Sequence, residues 1–169
     1  MRHYYFCIIF FSFLTMGNGC RKSNAASDLD QMNAIFSKDI EKMGQCLINR
    51  DYECYIAYNH PAVLKAYGDK SKMKEQLNLA MRQYKDDVGE YKKMTFAGID
   101  QVFYDNGNIQ AIIDQDITVQ KSGSEEVERQ KLLAISEDNG TSWHYIVLVG
   151  MNREKVEQLY PNLNSKIIY

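Results

Sequence analysis

Apolar residues recur at steps of three and four near the start of the chain. Leu29, Met32, Phe36, Ile40, Met43 and Leu47 share one face of a helix expected over residues 28–48. Ser27 is placed to cap it, with Asp28 and Asp30 favourable in the first turn. Asn49-Arg50-Asp51 breaks the pattern, and a second helix follows over 51–58. Pro61 opens a third, at a position where its missing N–H would have had no partner. Gly68 ends that helix as a left-handed cap. Asp69 or Ser71 then caps a fourth, carrying Met73, Leu77, Ala80, Tyr84 and Val88.

After Gly89 the period falls to two. Residues 92–105 read as a strand with a kink or bulge at Gly98, and Asn106-Gly107 is a two-residue hairpin turn. In strand 109–120, Ile109, Ala111, Ile113, Ile117 and Val119 face one way, while Gln110, Asp114, Asp116, Thr118 and Gln120 face the other. Ser122-Gly123-Ser124 leads into a strand over 126–137, and Asp138-Asn139-Gly140 into one over 142–149. Asn152 caps a short helix that stops before Pro161. Helices first and a meander afterwards predict an α+β domain over 28–169: N-terminal helices packed on a curved four-stranded antiparallel sheet with one polar face, then a short C-terminal helix.

Three segments resemble the nuclear transport factor 2-like superfamily. Asp51 to Tyr58, with Pro61 and the Gly68-Asp69-Lys70 break, is similar to the second and third helices of its small exported members. Asp138 to Ile146, a glycine turn followed by Trp143, resembles their last hairpin, and Leu159 to Leu163 resembles their C-terminal tail. The resemblance implies a cone-like roll whose cavity or sheet face serves function. The superfamily holds isomerases, dehydratases, cyclases and non-catalytic binding domains, so the fold alone selects no activity. Many members pair through the sheet face, which makes a homodimer through that face an expectation.

The first residues have a different character. Arg2 and His3 precede an apolar run from Tyr4 to Met16, about 13 residues and too short to span a bilayer. Gly17-Asn18-Gly19 and Cys20 follow. This is the layout of a secretory signal over 1–19. A cysteine directly after the cut resembles the lipobox of bacterial lipoproteins, which implies that Cys20 carries the lipid and that 20–27 form a polar tether. Gly19 fits that pattern; Asn18 and Gly17 stand where a small residue and usually leucine are found. Gly17 and Gly19 equally suit an ordinary signal peptidase, so plain secretion is the alternative. Either route exports the chain; a lipid-anchored, periplasm-facing position in the cell envelope is favoured, with secretion if the lipobox is not used.

Removing residues 1–19 from 169 leaves 150, one ordinary domain. A net charge of −2 with no Lys/Arg stripe argues against nucleic acid. Cys46 and Cys54 lie symmetrically about Arg50, facing one another across a helical hairpin if Arg50 is its turn. They form either a disulfide, stabilising by about 2.5 kcal/mol through chain entropy, or two buried thiols. No histidine or second cysteine pair stands at metal-ligand spacing, and no cofactor motif occurs.

Candidate chemistry is sparse. His144 could serve as a base or lie on an edge strand. Asp114 and Asp116 share a strand face that reads as solvated. Gln115 falls among isoleucines, where a buried amide needs either a neighbouring partner or a pocket. Tyr52, Tyr55 and Tyr58 recur every three residues, as a packing face or a cavity lining with Tyr55 and Tyr58 the pocket candidates. The reading is a membrane-tethered extracytoplasmic domain that binds a small molecule or an envelope protein; the alternative is an isomerase or dehydratase with His144 or an aspartate as base. Cys20→Ala is expected to move the protein from the membrane to the soluble fraction, and unchanged fractionation would exclude the lipid anchor.

Overall fold

A computed structural model describes the backbone of residues 25–169 and the side chains of residues 28–169. The signal segment 1–19, Cys20 and tether residues 21–24 lie outside the described residues; the first helix begins at Ala25, earlier than expected, so Ser27 falls within it instead of preceding it. The elements run α1 (Ala25–Ile48), α2 (Tyr52–Tyr58), α3 (Pro61–Tyr67), α4 (Lys70–Asp87), β1 (Glu90–Asp105), β2 (Asn108–Lys121), β3 (Ser124–Ser136), β4 (His144–Val147) and α5 (Arg153–Leu159). The strands form one antiparallel sheet in the order β1-β2-β3-β4. Among the described residues the architecture is α+β, with four helices before the sheet and one after it. Among the described residues no helix is long and apolar enough to cross a membrane.

Helix α1 crosses one sheet face. Met32, Phe36, Ile40, Met43 and Leu47 are buried as the period predicts, whereas Leu29, one turn from the helix start, is 40% exposed. Phe36 meets Trp143 edge-on at 4.7 Å and packs near Phe96 and Tyr145. Tyr145 donates to Asp39 Oδ2 at 2.7 Å, tying the helix to the edge strand. Gly44 permits the closest approach: a Cβ there would stand 2.7 Å from Met94 Cβ, inside van der Waals contact. Cys46 of α1 is disulfide-bonded to Cys54 of α2, with Cα atoms 5.7 Å apart, across a turn where Arg50 takes φ 57°.

Asn106 and Gly107 both take positive φ (45° and 89°), the conformation that a two-residue hairpin requires. Strand β1 departs from simple pairing in three places: Lys92, Ala97 beside Gly98, and Asp100 are skipped in register against β2. Strand β4 is shorter than expected, His144–Val147, and its outer edge is met by Asn59 and by His60, whose N–H donates to the Tyr145 carbonyl at 3.0 Å.

The second sheet face is not uniformly polar. Gln110 and Ile112 point away from α1, yet both are buried. The covering comes from the C-terminal segment, which buries Tyr160, Leu163 and Ile167. Gln110 Nε2 donates to the Asn162 carbonyl at 2.8 Å and Gln110 Oε1 accepts from the Asn164 N–H at 2.8 Å. Gln101 accepts from Ile168 N–H at 3.2 Å, and Arg153 donates to the Ile167 carbonyl at 2.7 Å. Side-chain amides thus hold the segment as a neighbouring strand's backbone would. Beyond its reach the face is ionic, with Asp116 gripped by Arg129 (2.8 and 3.0 Å) and Lys131 between Asp100 and Asp114 (2.9 and 3.2 Å).

Gln110→Leu removes both amide contacts and leaves two part-buried backbone groups without their side-chain partner. The expected loss is about 2 kcal/mol in urea unfolding. An unchanged midpoint would mean that the segment does not depend on this clamp.

Candidate functional site

Helices α3 and α4 are joined by Gly68 and Asp69 alone, and this short turn shapes a cleft. Gly68 takes φ 96° at the end of α3, and Asp69 accepts from Lys72 N–H at 2.9 Å to start α4. Pro61 stands at the first turn of α3, and Asn152 caps α5 by accepting from Lys155 N–H at 3.0 Å. Between these helices and strand β4 opens a cleft of about 540 Å³. Val63, Ala66 and Tyr67 of α3 form one wall, extended by Met73 and Leu77 of α4. Ile146 and Val147 of β4 and Tyr55 and Asn59 close the inner side. Lys155, Gln158 and Leu159, at a spacing that puts them on one face of α5, form the other wall together with Met151 just before the helix. The volume is of the order that encloses a small organic ligand.

Polar groups in the cleft are few. Burial pushes the Tyr55 phenol well above its ordinary pKa, with Tyr91 and Tyr67 adding to the effect, so it is a neutral hydroxyl. Asn59 donates to the Tyr55 carbonyl at 2.9 Å through Nδ2. Lys155 contributes the only charge among the lining residues, and it forms no ion pair with a described residue. Its helix neighbours Arg153 and Glu157 pair with each other at 2.7 Å.

The four expected pocket residues do not come together. Tyr55 lines the cleft, 7% exposed, beside the buried Tyr52. Tyr58 is half-buried; desolvation and then Asp39 raise its pKa. Gln115 is buried on the α1 face and donates to Gln130 Oε1 across the strands at 3.4 Å, while its Oε1 has no partner among the described residues. His144 is half-buried on β4, its ring 6.2 Å from that of His60. Asp114 and Asp116 are held in the cross-strand ion pairs described above, and Arg129 keeps the Asp116 carboxyl below its usual range.

Sequence reasoning missed Met73, Met151, Lys155 and Gln158 as cleft residues. Met73 was legible only as a core position. Lys155 and Gln158 sit on α5 and Met151 just before it, a stretch that becomes a wall once α5 lies beside α3. A second cleft of about 500 Å³ lies at the start of α1, lined by Asp28, Met32, Ile35, Tyr104 and Trp143 among others. Among the described residues no group of three or more His, Cys, Asp or Glu side chains is placed to hold a metal ion.

No family model matches the chain, and a search of the curated proteins finds no match. One solved structure, "Crystal Structure of TerC Co-crystallized with Polyporic Acid", is similar at 11% identity with a TM-score of 0.29, covering 72% of this chain and 95% of that one.

His60 borders the cleft side of β4 and caps α3: its Nδ1 accepts from Ala62 N–H at 3.3 Å, which requires that nitrogen to be unprotonated. Burial lowers its pKa, Glu137 opposes this, and His144 lowers it further; the Tyr160 ring packs 5.1 Å away. A histidine with a depressed folded pKa binds its proton more readily when unfolded. Stability is therefore full above the unfolded value of 6.5 and falls as pH drops through it towards the folded pKa. The urea midpoint is expected to fall between pH 7.5 and 5, and His60→Asn, which can still cap α3, to flatten that fall. An identical slope in the variant would place the titration elsewhere.

Proposed function

We propose that this chain is a lipid-anchored, extracytoplasmic domain of the nuclear transport factor 2-like kind that holds a small apolar molecule in the cleft between α3, α4, β4 and α5. The observation that carries the reading is the cleft itself: about 540 Å³, walled by aliphatic, methionine and tyrosine side chains, where a folded monomer ordinarily fills such space or leaves it to a ligand. The register skips along β1 favour a curved sheet, as a cone-like roll needs. The tether places the domain beside a membrane, where apolar molecules concentrate. The isomerase or dehydratase alternative calls for a base facing a hydroxyl inside a cavity; His144 is absent from the cleft lining, and the two strand aspartates are ion-paired outside it.

Native mass spectrometry of residues 21–169, purified gently from a bacterial envelope fraction, tests this proposal. That span contains every residue of the buried core cluster. A retained small molecule is the expected result, lost when Ala66→Trp fills the mouth of the cleft. A bare protein in every preparation would overturn small-molecule binding as the function and move it to a protein partner.

A further inference from the structure

The cleft is apolar within and charged at one point only. The wall runs from Met151, just before α5, to Lys155 and Leu159 on the helix, so Lys155 comes between two apolar lining residues along the chain. Gln158, also on this wall, offers an amide next to it. Lys155 forms no ion pair with a described residue: Glu157 is taken by Arg153, and no acidic residue lines the cleft. Deeper in, Val63, Met73 and Ile146 are buried to 9% exposure or less.

An apolar slot with a single uncompensated cation on its wall matches a molecule with one alkyl chain and one negative head. We propose that the cleft takes a single-chain anionic amphiphile, a long-chain carboxylate, with the alkyl chain between α3 and α5 and the carboxylate on Lys155 Nζ. The inference rests on the cleft being the binding site and adds the class of ligand. A neutral sterol-like or cationic ligand would leave Lys155 unpaired or repelled. A peptide partner would call for a continuous row of donors and acceptors along the groove, whereas the polar groups there are a few separate side chains.

The test is calorimetric titration of residues 21–169 with decanoate, dodecanoate and tetradecanoate below their micellar concentrations, beside dodecanol and dodecylamine. Carboxylate affinity is expected to rise about threefold to fourfold per added methylene while the slot fills. Dodecanoate should exceed dodecylamine. Lys155→Met, which keeps the apolar stem, should weaken dodecanoate about threefold to fivefold, the size of an exposed ion pair, and leave dodecanol unchanged. Lys155→Glu should reverse the preference between dodecanoate and dodecylamine. Ala66→Trp, at an exposed helix position and checked for native circular dichroism, should abolish binding of all chains.

Equal affinity for dodecanoate and dodecanol, unaffected by Lys155→Met but lost in Ala66→Trp, would overturn the anionic class and keep the cleft. Carboxylate binding indifferent to Ala66→Trp would overturn the location. Absence of binding by every amphiphile to folded protein would overturn the proposal and, with a bare native mass spectrum, the cleft reading as well.

Discussion

Everything else in the domain is hung on the seating of α1 against the sheet. Gly44 lets the helix backbone come within a methylene's width of Met94, and Phe36 inserts between Phe96, Trp143 and Tyr145. These contacts bring together strand β1, strand β4 and the loop before it. The Tyr145–Asp39 hydrogen bond adds direction to what is otherwise undirected apolar contact. The Cys46–Cys54 bridge then carries the position of α1 forward to α2, and with it to Asn59 and His60 at the sheet edge. The cleft follows from this chain of attachments: Asn59 and His60 fix the start of α3 beside β4. Helix α4 returns to the sheet through Tyr84, which stacks on Tyr91 at 4.5 Å and donates to Glu128 at 2.9 Å.

The two sheet faces are filled by different means. The α1 face is apolar and tightly packed, interrupted by the Gln115–Gln130 pair. The opposite face is closed over Ile112 and Ile135 by a segment without regular structure, and an irregular segment brings backbone groups that must find partners. Gln101, Gln110 and Arg153 supply them. This explains why amides occur where the strand alternation calls for solvent-facing residues, and why the polar character of that face does not make it open.

Elements built from neighbouring residues were legible in the sequence. Asn106-Gly107, Gly68 and Pro61 act through local backbone conformation, and each stands at the turn or helix end that its chemistry demands. The helical face of α1 was legible from Met32 to Leu47 because one continuous surface covers it. Leu29 was misplaced because the period says which face a residue is on, not how far the covering extends. Gln110 was assigned to solvent because its partners lie 52 and 54 positions away, beyond any local pattern. The same holds for Lys155: the sequence marks only a short helix there, and the docking of α5 beside α3 makes a wall of it. Of the tyrosines on α2, the spacing of three distributes Tyr55 and Tyr58 to different surroundings, which a helical wheel alone does not resolve.

The amide clamp has a bearing on how the protein is made. Synthesis proceeds from the N-terminus, so the sheet is complete in sequence well before the residues that seal it exist outside the ribosome. Until residues 160–169 emerge, Gln101 and Gln110 lack their partners, Ile112 and Ile135 lie open to water, and Asn108 has no Tyr160 to bind. Closure depends on contacts between distant parts of the chain, which form late and slowly. A domain that locks only when residues 160–169 dock stays loose for as long as that segment is unmade, however much of its sheet has already formed.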